Sequence, residues 1–374
     1  MRNTYCEISL PVLKNNLKII HDFCGTKTKV CAVIKANAYG HGMIPVARAF
    51  VEQGVDYLAV ALVEEGKQLR DAGITVPVLV LAGVEESEIV DCIKNNLTIT
   101  ASSLEKLLLI AEQGEKLSRK PVVHLKIDTG MSRIGAHWNR CTAFIEKVKE
   151  FVDQDKIVCE GIYSHFADTL DHDFTQTQFD RFMQVRAFAA SIGLEIPIAH
   201  ICSSRSIFMY PEYHLDMVRP GIALYGIEPE HSKKILPENI VPALSWKSRV
   251  VYFKVVEPGE SVGYGRTWTP AGEYERIITI PVGYADGYPR RLSNIGKVLV
   301  RGHEYTIAGR VCMDQIMVTI GHGGESYVGD TVILIGTDGV HTISAEMIAR
   351  LIDTTTHEIT TCISDRVPRV YLEA

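Results

Sequence analysis

The sequence predicts an α/β protein in which a (β/α)8 TIM barrel is followed by a mostly β C-terminal domain. Short Val- and Ile-rich segments alternate with helical stretches over about the first 225 residues. The pattern then changes to closely spaced strands separated by Gly, Pro and Asp turns. We place the barrel at residues 1–235 and the β domain at 236–374, because residues 226–242 carry three prolines and mixed charge.

Eight apolar segments are predicted as barrel strands, each paired with a segment of helical length. The predicted strands are residues 30–34, 57–61, 76–81, 97–100, 122–127, 156–163, 198–202 and 217–224. The clearest helices are predicted at residues 10–23, 43–52, 63–72, 85–95, 103–113, 139–152 and 173–191. The second domain is predicted to hold strands at residues 245–256, 276–282, 297–301, 304–308, 315–320 and 331–335, and a helix at 344–352.

The composition is that of an ordinary globular protein, with 46% hydrophobic and 22% charged residues. A net charge of −6 disfavours a nucleic-acid partner, which a basic surface would bind. Residues 1–10 lack the apolar core of a signal peptide, and the longest apolar run, 76–84, is about half of a membrane helix. We expect no membrane contact from this segment and a cytoplasmic location, alone or as the cytoplasmic domain of a larger membrane protein.

The cysteines and histidines give no sign of a disulfide framework or a metal site. The nine cysteines are scattered and contain no Cys-x-x-Cys pair, which is typical of reduced thiols. The thirteen histidines lack the spacing of metal ligands, and His165 and His200 stand alone in the sequence. We therefore predict no metal.

The run VCAVIKANAYGHG at residues 30–42 places one lysine, Lys35, at the end of an apolar strand. Burial penalises an ammonium group, so a lysine in apolar surroundings loses its charge easily. A neutral lysine is a nucleophile that forms a Schiff base with a carbonyl compound. The first hypothesis is therefore a covalently bound carbonyl cofactor, above all pyridoxal 5'-phosphate (PLP). The alternative is a strand-end lysine that extends to solvent.

Polar residues also follow the later strands of the predicted barrel, where the active sites of such barrels form. They are Lys126 and Asp128, with Arg133 in the next loop, then His165, Ser203, Ser204, Arg205, Arg219 and Gly221. A rim rich in cations and hydroxyl groups around one lysine suits a cofactor that carries a phosphate. Each residue alone is equally typical of a turn, a helix cap or a surface ion pair.

Three polar loops stand out in the second domain. Tyr264 lies between two glycines, which is unusual for a core tyrosine because no neighbouring side chain supports it. Residues 282–290 and 309–315 form two further loops rich in polar residues. Tyr264 is predicted to be exposed, either as a simple turn residue or as a functional group.

These motifs resemble those of the bacterial PLP-dependent alanine racemases, over essentially the whole chain. The matching stretches are residues 32–42, 123–135, 163–167, 217–226, 263–265, 282–290, 309–315 and 366–369. The family includes the serine racemase domains linked to vancomycin resistance. The resemblance implies a head-to-tail homodimer that racemises alanine, with serine as a further substrate, and that supplies D-amino acids for peptidoglycan precursors of the cell wall.

The resemblance also implies roles for individual residues. Lys35 and the partner subunit's Tyr264 would be the two acid–base groups on opposite faces of the substrate carbon. Arg219 would face the pyridine nitrogen, and His165 would position it. The cofactor phosphate would be held by Tyr39, Ser204, Gly221, Ile222 and His357. The substrate would be bound by Arg133, Met313 and Asp314. An entry corridor would be lined by Asp171, Tyr284, Arg290 and Arg310. Lys126 matches a lysine that is often carbamylated in the family.

One position departs from the family pattern. The family has a tyrosine before the residue that matches Glu358, whereas this chain has His357. The serine-racemising relatives also carry another polar residue there, which favours serine as an alternative main substrate. Two other interpretations stay open, a barrel-fold PLP decarboxylase and a non-catalytic PLP-binding protein. The decarboxylase relatives usually have a Gly-Gly-Gly run, which this chain lacks, and the non-catalytic relatives are single barrels.

Overall fold

The computed structural model describes residues 2–229 and 234–373 and confirms the predicted barrel. Parallel strands follow one another around the ring in chain order, and most of their residues are fully buried. The strands are Lys29–Val33, Tyr57–Val60, Val78–Val80, Thr98–Ala101, Val122–Asp128, Val158–Tyr163, Ile198–His200 and Met217–Val218. The ring is nearly closed, since the last strand pairs with the first and a β-bridge joins Ser203 to Arg219.

Helices alternate with these strands because each has one apolar face that packs on the barrel. Polar residues cap the starts of several helices. Ser103 and Asp171, for example, accept hydrogen bonds from backbone N–H groups of the helices that follow them. The main helices are Leu10–Cys24, Met43–Glu52, Val63–Asp71, Glu86–Lys94, Leu104–Lys116, Thr142–Asp153, His172–Ser191 and Ser204–Met209. Within the described ranges, no helix has the length and apolar character that crossing a bilayer requires.

The eighth barrel segment differs from its prediction as a strand over residues 217–224. The strand stops at Val218, and a short 3-10 helix, Ile222–Tyr225, follows it. Pro220 and Gly221 lie between the two elements. Proline has no N–H for a strand ladder, so the chain turns here and leaves backbone groups at the end of the barrel.

The second domain is built on a long, mostly antiparallel sheet, as predicted. In order across the sheet, its strands are Tyr252–Val256, Glu275–Ile280, Ile316–Gly321, His303–Ile307, Lys297–Val300, Thr331–Asp338, Leu244–Arg249, Tyr5–Ser9 and Arg369–Leu372. His341–Ile343 pairs with Thr331–Asp338, and helices Ala345–Ile352 and Thr356–Thr361 follow. The strand Tyr5–Ser9 joins this sheet although it precedes the barrel in the sequence. The domain boundary at residues 235 and 236 stays a prediction.

Candidate active site

A cavity of about 720 Å³ opens where the barrel strands end. The structure brings together around it most of the barrel residues that the sequence singled out. Those that line it are Lys35, Tyr39, Lys126, Arg133, His165, Ser203, Ser204, Arg205, Arg219, Gly221 and Ile222. His357, from the helix Thr356–Thr361, lines the same cavity. The cavity therefore joins residues that lie more than 300 positions apart in the sequence.

Lys35 follows the strand Lys29–Val33 and is half-buried at the cavity wall. Burial lowers the pKa of its ammonium group, and the charge of Arg133 lowers it further. Glu65 acts in the opposite direction, since its carboxylate favours the charged amine. The balance lowers the pKa, so a larger share of Lys35 is neutral and nucleophilic than for a lysine in water.

A turn of left-handed backbone follows Lys35. The φ angles are 52–54° at four consecutive residues other than glycine: Ala36, Asn37, Ala38 and Tyr39. Each costs about 1–2 kcal/mol relative to right-handed backbone. Hydrogen bonds hold the turn: Ala36 N donates to Glu65 Oε1 over 2.7 Å, and Arg369 Nε donates to Gly40 O over 3.0 Å. Such strain near a reactive lysine is typical of a functional site, where the surrounding structure fixes one conformation.

Arg219 is buried at the floor of the cavity. Its Nη1 donates to Nδ1 of His200 over 2.6 Å, and its Nη2 donates to the backbone O of Ser164 over 2.7 Å. His165, the residue that the resemblance assigned to position this arginine, accepts from Nη2 over a longer 3.3 Å. His200 is therefore the nearer imidazole, and these bonds fix the plane of the guanidinium group.

One end of the cavity is shaped to hold an anion. Ser204 Oγ accepts hydrogen bonds from Gly221 N over 2.8 Å and from Ala223 N over 3.2 Å, so its own proton is free to donate. A Cβ atom at Gly221 would lie 2.5 Å from the Tyr39 hydroxyl, so only glycine keeps this space open. With the Lys35 amine and the Arg219 guanidinium, these groups fit a carbonyl cofactor that carries a phosphate.

Lys126 is an unusual buried lysine. Its Nζ lies 4.5 Å from the centre of the Tyr163 ring, and the side chain is 4% exposed. Burial lowers the pKa of this lysine well below its ordinary value, and the charges of Arg219 and Arg133 lower it further, while Asp128 opposes them. These effects favour the neutral amine of Lys126 over its ammonium form.

Two predicted residues lie on exposed loops of the barrel. Arg133 lines the cavity, and its charge acts on both Lys35 and Lys126. Asp171 is exposed at the start of the helix His172–Ser191, where its Oδ1 accepts from Phe174 N over 3.0 Å. The observed contact makes Asp171 a helix cap.

The remaining predicted residues form a surface that we call the second-domain patch. It consists of the half-buried Arg310 and the exposed Tyr264, Tyr284, Arg290, Met313 and Asp314. Tyr284 N donates to Cys312 O and Ala285 N donates to Met313 O, both over 3.0 Å, which joins two of its loops. Tyr264 is 72% exposed and Met313 53% exposed. In the part of the chain that the structure describes, no residue of this patch lines the cavity of its own barrel.

A buried carboxylate supports the second-domain patch. Asp286 is fully buried and accepts from Arg2 through both oxygens, over 2.6 and 2.8 Å. Its Oδ2 also accepts from Gly283 N over 3.0 Å, which fixes the turn that carries Tyr284. Arg366 Nη2 donates to Asp314 over 2.7 Å, so both loops are tied to one charged cluster. The patch is thus a supported surface that presents exposed side chains outward.

His357 is half-buried at the anion-holding end of the cavity. Its ring centre lies 5.9 Å from that of Tyr39, and its Nδ1 lies 3.0 Å from Thr355 Oγ1. The position that departs from the family pattern is therefore a wall of the cavity, next to a residue of the anion cradle.

Comparisons with known proteins place this chain and its fold among the amino-acid racemases, which are isomerases. Residues 8–229 match the model "Alanine racemase, N-terminal domain", and residues 243–371 match "Alanine racemase, C-terminal domain". The chain belongs to the alanine racemase family.

Three relatives illustrate the likeness. Alanine racemase of Halothermothrix orenii is 43% identical over 99% of this chain and 97% of its own length. The structure of alanine racemase from Clostridium difficile 630 is 39% identical, with a TM-score of 0.92, and the match covers 100% of this chain and 96% of that one. A histidine racemase from Leuconostoc mesenteroides is 29% identical, with a TM-score of 0.87, over 100% and 98% of the two chains.

Three residues of the site were missed from the sequence: Glu65, Tyr163 and His200. Tyr163 stacks on His200 with ring centres 4.8 Å apart. Each is the last residue of a barrel strand, and this position could have indicated both as site residues. Glu65 lies in the first turn of the helix Val63–Asp71, where an acidic residue ordinarily caps the helix. The sequence therefore carried no sign that Glu65 also accepts a hydrogen bond from the turn after Lys35.

Proposed function

We propose that this protein is a PLP-dependent racemase that interconverts L- and D-alanine by a two-base mechanism. The observation that carries the proposal is the half-buried Lys35, with its lowered pKa, in a cavity that also holds an anion cradle and Arg219. When bound, PLP would supply the electron-withdrawing group that makes the α-hydrogen of an amino acid acidic. The cofactor would be held by Lys35, Tyr39, Ser204, Arg219, Gly221, Ile222 and His357.

Racemisation requires a proton to leave one face of the α-carbon and another to arrive on the opposite face. The Lys35 amine accepts or donates the proton on one face. The partner subunit's Tyr264 does so on the other, through its hydroxyl group. The exposure of Tyr264, on a patch that does not line its own cavity, supports a head-to-tail homodimer in which each barrel uses the partner's second domain.

The other site residues orient substrate and cofactor. Arg219 donates hydrogen bonds and cannot give up its proton readily, so it would face the pyridine nitrogen of PLP without protonating it. His165 and His200 fix the plane of its guanidinium group. Arg133 and the partner's Met313 and Asp314 bind the substrate carboxylate region. The entry corridor of the cavity is lined by Asp171 and by the partner's Tyr284, Arg290 and Arg310. We further propose a cytoplasmic role in supplying D-alanine for peptidoglycan precursors.

The proposed function is tested by incubating the PLP-loaded protein separately with L-alanine and L-serine and separating the products on a chiral column. We expect D-alanine to accumulate until both enantiomers are equal. Release of the amine with CO₂ would instead identify a decarboxylase. An unchanged L-amino acid beside a PLP absorption band would identify a binding protein.

Serine is the second candidate substrate, because His357 replaces the family tyrosine at the cavity wall. The similar structure of a histidine racemase indicates that this fold can serve an amino acid with a side chain larger than a methyl group. We expect His357→Tyr to raise the alanine-to-serine ratio of kcat/KM by about tenfold, since a pocket without a partner for an added hydroxyl rejects it by about 10²-fold at most. His341→Tyr, on an exposed hairpin, is the matched control. A ratio that stays constant in His357→Tyr would count against serine.

Lys126 is proposed to be carbamylated. The neutral amine would attack CO₂ and lose one proton to solvent. The resulting carbamate would place a negative charge beside Arg219 and Arg133, where a positive charge is disfavoured. We expect protein equilibrated with ¹³C-bicarbonate to show one protected carbamate signal by ¹³C NMR, and the Lys126→Gln variant to lack it. A parent spectrum without that signal would show that Lys126 is a free amine.

A further inference from the structure

A chain of hydrogen bonds leads from Arg219 through the inside of the barrel to its opposite end. Nη1 of Arg219 lies 2.6 Å from Nδ1 of His200, and Nε2 of His200 lies 2.9 Å from Nδ1 of His124. Nε2 of His124 then lies 3.3 Å from Oε2 of Glu160. Both imidazoles are fully buried, whereas the Glu160 side chain is 28% exposed. Glu160 lies near the start of its strand, so the chain spans the barrel interior.

The chemistry of its two ends fixes the direction of every bond in this chain. Arginine only donates, so Nδ1 of His200 must be an acceptor without a proton. A neutral His200 therefore carries its proton on Nε2 and donates it to Nδ1 of His124. His124 in turn carries its proton on Nε2 and donates it to Glu160, which only accepts when ionised. Both histidines are thus held in one tautomer, and neither can gain a second proton without breaking a bond.

The surroundings of the chain keep these protonation states. Burial lowers the pKa of His200 well below its ordinary value, and the charge of Arg219 lowers it further. Burial also lowers the pKa of His124, against the opposing effect of Glu160. Burial raises the pKa of Glu160, but the hydrogen bonds from His124 and Tyr57, with the charge of Lys29, outweigh it and leave the pKa lowered. Both histidines are therefore neutral, and Glu160 is ionised, at neutral pH.

We propose that Glu160 is a positioning residue for Arg219, acting at the far end of the barrel by fixing the tautomers of His124 and His200. Without an acceptor at position 160, His124 is free to carry its proton on Nδ1 instead. That proton would point at the Nε2 proton of His200, which would then move to Nδ1. The Nδ1 proton would face the N–H group of Arg219, and the guanidinium would lose its shortest bond and move. The predicted effect on catalysis rests on the proposed function. The predicted tautomers of His124 and His200 do not depend on it.

The bond network also provides a matched pair of variants. Glu160→Gln removes the charge but keeps a side-chain oxygen that can accept from His124 and from Tyr57. Glu160→Leu has a similar size and no acceptor. If Glu160 acted only through packing, the two variants would have the same tautomers and the same kcat. If Glu160 acts as a hydrogen-bond acceptor, Glu160→Leu changes both and Glu160→Gln changes neither substantially.

The test records the ring nitrogens of ¹⁵N-histidine in the PLP-loaded protein by long-range ¹H–¹⁵N NMR, without turnover. In the parent we expect both His124 and His200 to carry a proton on Nε2 only. We expect the same in Glu160→Gln, and a mixture of tautomers at His124 in Glu160→Leu. We also expect kcat to fall about 10- to 100-fold in Glu160→Leu, the effect of losing an outer hydrogen-bond partner, and to stay within about twofold of the parent in Glu160→Gln.

Several results would overturn the proposal. A parent protein with the Nδ1 proton on either histidine would do so even if Glu160→Leu failed to fold. So would Glu160→Leu with unchanged tautomers, or equal losses of kcat in both variants. A protein that racemises no amino acid would refute the proposed function and still leave the tautomer measurement decisive for Glu160.

Discussion

Lys35→Ala is expected to lower kcat for racemisation by more than about 10³-fold, because it removes both an acid–base group and the nucleophile of the site. The substituted methyl group cannot accept a proton from the α-carbon or bond to the cofactor aldehyde. Chiral chromatography measures the loss of inversion, and absorbance after gel filtration measures how much PLP stays on the protein. Lys67→Ala is the control, since Lys67 makes only a surface ion pair of 2.7 Å with Asp91.

Added methylamine sharpens this experiment. The cavity of about 720 Å³ has room for a small amine, which would restore part of the activity to Lys35→Ala and none to the control. If Lys35→Ala inverted alanine at the parent rate and kept PLP through gel filtration, Lys35 would be a structural lysine and the proposed function would be wrong.

Tyr264→Phe is expected to lower kcat in both directions by about 10²- to 10⁴-fold, the range for losing one general acid–base group. Proton exchange should survive for one enantiomer, because Lys35 still serves one face of the α-carbon. In D₂O we therefore expect deuterium to enter one enantiomer without inversion, measured by mass spectrometry. Tyr252→Phe is the matched control, since Tyr252 is an exposed tyrosine on the edge strand of the same domain.

Mixing the two inactive variants tests the shared site. A mixed dimer of Lys35→Ala and Tyr264→Phe has one site that combines an intact lysine with an intact tyrosine, if each tyrosine serves the partner's barrel. Random exchange of subunits would then restore about a quarter of the parent activity. No recovery, with subunit exchange shown by mass, would place both groups on one chain and refute the head-to-tail dimer.

Most of the fold follows from local sequence. Periodic apolar residues identified the barrel strands and the helix Met43–Glu52 at its observed bounds, because buried parallel strands are short apolar runs and surface helices have one apolar face. The strand Tyr5–Ser9 was missed. Its partners, Leu244–Arg249 and Arg369–Leu372, lie more than 200 residues away, so no local pattern reveals the pairing.

The site was predictable where side chains end the barrel strands, because the fold collects those ends in one place. Lys35, Lys126, His165 and Arg219 were found in this way. His124 was not, because a single histidine in an apolar strand is typical of a satisfied core residue. Its function depends on His200, 76 positions later, and that contact exists only in three dimensions.

The sheet that joins Tyr5–Ser9 to Arg369–Leu372 has a consequence for biosynthesis. During translation, Tyr5–Ser9 must wait for its parallel neighbour, Arg369–Leu372, which is made more than 300 residues later. Contacts between such distant segments are slow to form, and an unpaired strand edge invites association with other chains. We therefore expect the nascent chain to stay dependent on chaperones until Arg369–Leu372 has been made. We also expect separately expressed halves to recover the native state only when they are mixed.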